Sequence, residues 1–269
     1  MNLPLTDAPP EAGLLARAIE SDCSYFEMEA EIAQLDGATL AWMPGLTRSP
    51  GAAVVHRVDP TAVAAGGAEW IAAWEAAMTG VGAILSRIYL ETRHDRADGI
   101  LLDAGYVARD ELVFIDALPD PSLDLALRPV ESAADWADKL LFHQAANETA
   151  DGHGNLAADW VELERRKCRA GMHAYLAELE GEVVGAVGAI WCDGFVRTKN
   201  LVVAPRRRRR GVARAILGRI AALGRERGLS DQCVLAVRGE QGELLYRSLG
   251  MPIIGFQVEW SRPLADGAR

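Results

Sequence analysis

At 269 residues, half of them hydrophobic and 6% aromatic, the chain has the composition of a soluble protein large enough for two domains. Its net charge of −10 disfavours binding a polyanion anywhere except on a confined basic patch, so nucleic acid is not an expected partner. Cys23, Cys168, Cys192 and Cys233 have neither paired metal-ligand spacing nor a disulfide framework, and no basic-then-apolar leader or apolar run of about 18 residues is present, so a cytoplasmic protein without metal or membrane span is expected.

In the first half, Ala38 to Trp42 reads as an apolar strand, and Trp70, Ile71 and Trp74 mark the buried side of a helix that follows Pro60 and Gly66. Asp116 to Ser122, with Pro119 and Pro121, reads as the interdomain linker. The chain then divides into residues 1–118, a connection at 119–124, and residues 125–269. Beyond the linker, Leu125 to Val130 reads as a strand and Asp135 to Ala146 as a helix with Trp136, Leu140 and Leu141 on one side. Met172 to Leu179 and Val183 to Trp191 read as a hairpin closed at Glu180-Gly181-Glu182. Leu201 to Pro205 is strand-like, Val212, Ile216, Ile220 and Leu223 lie at helical spacing up to a stop at Gly228, and Cys233 to Val237 and Ile253 to Trp260 are further strands.

Five consecutive arginines, Arg206 to Arg210, join the Leu201–Pro205 strand to the helix that follows Gly211. A helix start has backbone N–H groups without partners and the positive end of the helix dipole, so this junction predicts a phosphate cradle. Gly211 lets a ligand come close to the backbone.

Arg208-Arg209-Arg210-Gly211-Val212-Ala213 resembles the pyrophosphate-binding signature of the GNAT superfamily of N-acetyltransferases. Asn200 to Pro205 is similar to that family's fourth strand, and Gly242 to Met251, with Tyr246 and Gly250, to its later helix. The resemblance covers roughly residues 125 to 262. It implies an acetyl-CoA site in which backbone groups of Leu201, Val202 and Val203 hold the pantetheine arm. Arg208, Arg209, Arg210, Gly211, Val212, Ala213 and Arg214 would hold the pyrophosphate, and Tyr246 would give a proton to the departing thiolate.

A shift of 145 residues lays the first half on the second without a gap: Pro60 falls on Pro205, Gly66 on Gly211, Ala68 on Ala213 and Gly105 on Gly250. The expected fold is therefore α/β (α+β), two GNAT-like domains in tandem, each a mixed, mostly antiparallel sheet flanked by helices. The first copy reads as degenerate, because Val63 stands where the second has Arg208 and Leu101 where it has Tyr246. Charge agrees, since residues 1 to 126 carry a net −13 and the remainder +3. An acidic first half facing the same cleft could draw in a cationic amine.

The resemblance implies an acetyl-CoA-dependent N-acetyltransferase in which a small-molecule primary amine attacks the donor directly in a ternary complex; a homodimer is left open. Alternatives are an acyltransferase using a longer acyl-CoA or a carrier-bound acyl group, and a non-catalytic CoA-binding or scaffold protein. A general base is not evident, since Phe195 to Asn200 contains no acid. Glu148, Asp151 and His153, in the stretch where the family places its substrate loop, and Glu240, after the fifth strand of the second copy, are the candidates on the acceptor side.

Overall fold

The computed structural model describes residues 10–49, 51–117, 123–147 and 156–264. In chain order the first half contains α1 (Pro10–Glu27), β1 (Glu31–Leu35), β2 (Ala38–Trp42), β3 (Ala53–His56), α2 (Pro60–Gly80), β4 (Leu85–Leu90), α3 (Asp95–Asp103) and β5 (Val107–Ala117). The second contains β6 (Ala126–Pro129), α4 (Ala133–Asn147), α5 (Ala157–Arg169), β7 (His173–Leu179), β8 (Glu182–Trp191) and β9 (Phe195–Val203). It continues through a 3₁₀ turn at Pro205–Arg207, α6 (Val212–Glu226), β10 (Asp231–Val237), α7 (Gln241–Ser248) and β11 (Ile253–Pro263).

The 145-residue repeat is structural: α1 through β5 correspond in order to α5 through β11, the pairs β2/β8, α3/α7 and β5/β11 agreeing closely under that shift. The hairpin forms as the turn residues dictate, since Glu180 (φ 55°) and Gly181 (φ 78°) both take left-handed conformations, as a two-residue primed turn requires. One expectation is corrected. Leu141 does not share the buried side of α4 but is 64% exposed, and the residues that turn inward with Trp136 are Lys139, Phe142 and His143. Their polar members are accommodated because Glu164 of α5 lies beside them, 3.1 Å from Lys139 Nζ.

Among the described residues, the two copies share one sheet of eleven strands, in the order β1-β2-β3-β4-β11-β5-β10-β9-β8-β7-β6. Each half lends its last strand to the other: β11 lies between β4 and β5, and β5 lies between β11 and β10, all antiparallel. The central edges that each copy would expose alone are thereby paired. Helices α2, α3, α6 and α7 cover one face, with Trp70, Trp74, Val258 and Trp260 in the first half's core and Val196, Ile216 and Ile220 in the second's. On the other face, α1 packs Ala18 against Val113, Ile115, Phe195 and Cys233, while α4 and α5 pack on β7 and β8.

Candidate active site

Among the described residues, only two neighbouring strand pairs are parallel, β3 with β4 and β9 with β10. The β9–β10 ladder is short. Phe195, Val196 and Arg197 pair with Asp231, Gln232 and Cys233, after which the two strands are no longer registered with each other. Just beyond, β9 carries a bulge: Asn200 is left-handed at φ 55°, and the β8 register slips between Ala186 and Gly188. Leu201, Val202 and Val203 follow, half-buried, with Val202 and Val203 paired only to β8. The β10 side of β9 is thus left to any extended ligand that can add to it as a strand.

The chain leaves this split through the arginine run. Arg206 and Arg207 are both tied to Glu182, and Arg208 Nε donates to the Val203 carbonyl at 3.2 Å. Arg208 is extended (φ −64°, ψ 155°), Arg209 is left-handed at φ 61°, and Gly211, which caps α6, is left-handed at φ 81°. Left-handed residues alternating with ordinary ones turn successive N–H groups toward a common point, an anion nest. Among the described residues, no protein acceptor takes the backbone N–H of Arg209, Arg210, Gly211, Val212, Ala213 or Arg214. A Cβ at Gly211 would meet nothing closer than Leu123 Cδ1, 3.8 Å away, so the cradle is open.

The corresponding region of the first copy is lined differently and carries no arginine. There α2 is kinked at Gly67, which is left-handed at φ 56°, Val63 is fully buried where the second copy has the exposed Arg208, and a Cβ at Gly66 would come within 2.8 Å of Trp70 Cβ. Trp70 Nε1 donates to the Asp36 carbonyl at 2.9 Å, which fixes the ring in the first half's core. Leu101 is buried in the same core.

On the cradle's face of the sheet, Tyr246 of α7 is 7% exposed, and its ring lies 5.4 Å from that of Phe114, among Leu112, Leu217 and Val234. Burial pushes its phenol up to about 12, so it is protonated throughout the neutral range. Phe114 and Leu112 belong to β5, so the wall behind this tyrosine comes from the first half of the chain. Glu240 is exposed ahead of α7 and makes no capping hydrogen bond. Glu148, Asp151 and His153 lie outside the described residues.

The opposite face carries a polar cluster that the sequence reading missed. Asp22 of α1, 1% exposed, accepts from Arg197 (2.8 Å) and Lys199 (2.7 Å) through Oδ1 and from Gln257 Nε2 (2.8 Å) through Oδ2. The same Gln257 nitrogen donates to Glu111 Oε2 at 2.8 Å. Burial alone would raise the Asp22 pKa, but Lys199 and Arg197 outweigh it and hold the carboxyl well below the usual range. Glu111 goes the other way, raised by burial and then by the Asp22 carboxylate. Beside this cluster Asn200 donates to Tyr25 (3.2 Å) and to Glu164 (2.9 Å), and Lys167 stands 4.1 Å over the Tyr25 ring. Burial, and then Lys199, lower Lys167 to about 7. The available signal was the placement of Arg197, Lys199, Gln257 and Glu259 at alternate positions within otherwise apolar strands, all on one side of the sheet.

Residues 170–250 match the model of the acetyltransferase (GNAT) domain. Among curated proteins none matches the chain in sequence. The fold is similar to that of a functionally unknown conserved protein from Staphylococcus epidermidis, with a TM-score of 0.69 at 11% identity over 88% of this chain and 95% of that one. It is also similar to a GCN5-related N-acetyltransferase from Kribbella flavida, with a TM-score of 0.62 at 14% identity over 93% and 96%. A tandem GNAT protein from the clavulanic acid biosynthesis pathway aligns over 99% of this chain and 98% of its own, at a TM-score of 0.55 and 12% identity. The chain has the fold of a tandem GNAT protein, and residues 170–250 of its second half match the acetyltransferase (GNAT) domain.

Proposed function

We propose that this protein transfers an acetyl group from acetyl-CoA to a primary amine of a small molecule, with the donor held by the second half alone and the two substrates present together. The observation that carries this reading is the cradle at residues 208–214, where two left-handed residues and a helix start present unpartnered N–H groups beside free arginine charge. It lies at the end of a strand whose β10 side has lost its partner, so an extended pantetheine arm could run from the cradle into the split. The side chains of Arg206 and Arg207 are engaged by Glu182, which argues for a local cradle over a nucleic-acid surface. The four cysteines are free, in keeping with a reducing compartment.

In this reading the neutral amine attacks the thioester carbonyl, backbone N–H groups beside the split meet the developing oxyanion, and Tyr246 protonates the departing thiolate. A phenol kept protonated by burial suits an acid. Tyr246→Phe is expected to lower kcat by about 10²–10⁴-fold, the usual range for a positioned acid. The Kd for acetyl-CoA should change little. The check is CoA thiol release across a panel of small primary amines, with calorimetry on the same preparations. Unchanged turnover in the variant would remove Tyr246 from the chemistry, and no release from wild-type protein with any amine would count against acyl transfer.

A further inference from the structure

We infer that Glu111, which β5 carries from the first half of the chain into the centre of the sheet, takes the proton of the attacking amine, so that the acceptor site is assembled from both halves. This rests on the acyl-transfer reading above and assigns the base which that reading lacks.

The placement comes from register. Glu111 is opposite Val237 at the far end of β10 and opposite Gln257 on β11, beyond the point where β9 and β10 have parted. Its neighbours in β5 fix its face: Leu112 and Phe114 pack with Tyr246, whereas Val113 and Ile115 pack with Ala18 of α1. Alternation puts Glu111 on the α1 side, so it and Tyr246 lie on opposite faces of the sheet near the split. That is the arrangement a transfer needs, with the acid on the donor's side and the proton acceptor on the other.

Two carboxylates meet here, and their surroundings separate their roles. Asp22 is sealed from solvent and saturated by Arg197, Lys199 and Gln257. Glu111 is half-buried and, among the described residues, receives one hydrogen bond, from Gln257. The groups that act on it electrostatically are Asp22 from α1, Arg197 and Lys199 from β9, Glu259 from β11, and Arg87 and Tyr89 from β4. Arg87 is engaged by Glu259, and Lys199 by Asp22, so neither cation is committed to Glu111. Its raised affinity for a proton moves it toward neutral pH, where a base works best.

The step balances. The nitrogen of R–NH₂ bonds to the acetyl carbon, its proton passes to the Glu111 carboxylate, and the C–S bond breaks to leave the amide. The thiolate takes the proton of Tyr246, and solvent exchange returns both side chains to their starting states. The first copy, which has Val63 in place of the cradle's Arg208, then contributes to the reaction in the second by supplying Glu111 through β5 and Asp22 through α1.

The test is Glu111→Gln, which keeps the volume and an acceptor for Gln257. Wild type and variant are compared by calorimetry with acetyl-CoA and by CoA release with a primary amine that the wild type accepts, across pH. The expected result is an acetyl-CoA Kd within about twofold of wild type, consistent with Glu111 lying outside the cradle, and a kcat/KM lower by about 10²–10⁴-fold at neutral pH. The deficit should shrink as the pH rises, because hydroxide can then take the proton in place of the carboxylate. Undiminished turnover by the variant, or a deficit constant across pH, overturns the assignment while leaving the acyl-transfer reading intact. If the glutamine variant does not bind acetyl-CoA, Glu111→Asp serves in its place: a shorter carboxylate that preserves the wild-type pH profile at reduced rate supports the assignment, and one with undiminished turnover or an altered profile overturns it. Wild-type protein that binds acetyl-CoA yet acetylates no amine contradicts the function and this inference together.

Discussion

Asp22→Ala should cost about 3–5 kcal/mol of folding stability, the effect expected when one partner of a buried ion pair is removed and the other is stranded. The substitution leaves Arg197, 1% exposed, and Lys199 facing each other on β9 with no anion between them. It also frees Gln257 from the α1 side, so the hydrogen bond between α1 and the exchanged strand β11 is lost in the same stroke. Thermal or urea unfolding measures the difference directly. A variant within about 1 kcal/mol of wild type, on the order of a surface substitution, would mean that the cluster is dispensable. The pH dependence follows from the sign of the shift. Because Asp22 is held ionised below its unfolded pKa of about 3.9, its contribution is fully present above that value and disappears as pH falls through the lower folded one. Wild-type stability should therefore drop in that acidic window by more than the variant's does.

Gly211→Glu is expected to weaken acetyl-CoA binding by about 100-fold or more, equivalent to about 2.7 kcal/mol or more. The new carboxylate starts from the residue that caps α6, where the Cβ has open space, and it puts negative charge where the pyrophosphate is proposed to sit. A left-handed conformation costs a non-glycine residue about 1–2 kcal/mol, and Gly211→Ala carries that cost without the charge. The alanine variant should therefore bind acetyl-CoA much better than the glutamate variant. Equal affinities in calorimetric titration would show that backbone strain alone matters and that no anion sits at this point.

Much of this architecture could be read from the chain because its signals are local. The turn at Glu180-Gly181 and the strand–arginine–helix junction each depend on residues close in sequence, the repeat shows as one constant offset along the chain, and each appears where expected. The exchange of β5 and β11 was not legible, because alternation specifies which face a residue takes and says nothing about which strand lies beside it. The polar cluster was hidden for the same reason. Asp22 and Arg197 are 175 positions apart, and neither belongs to a motif. Within the arginine run, sequence alone could not divide the side chains between cradle and anchor. Glu182, in the preceding hairpin, makes that division by holding Arg206 and Arg207. Leu141 shows the limit of reading apolar residues as core, since charged Lys139 takes the inward position that burial beside Glu164 makes tolerable.

The most direct test of the central claim, a single working donor site in the second half beside a degenerate copy in the first, is the stoichiometry of acetyl-CoA binding to the intact wild-type protein by calorimetric titration. The account predicts one site per chain. Two sites would contradict the reading of the first copy as degenerate, with buried Val63 in place of Arg208, and an absence of binding would contradict the acetyl-CoA cradle at residues 208–214.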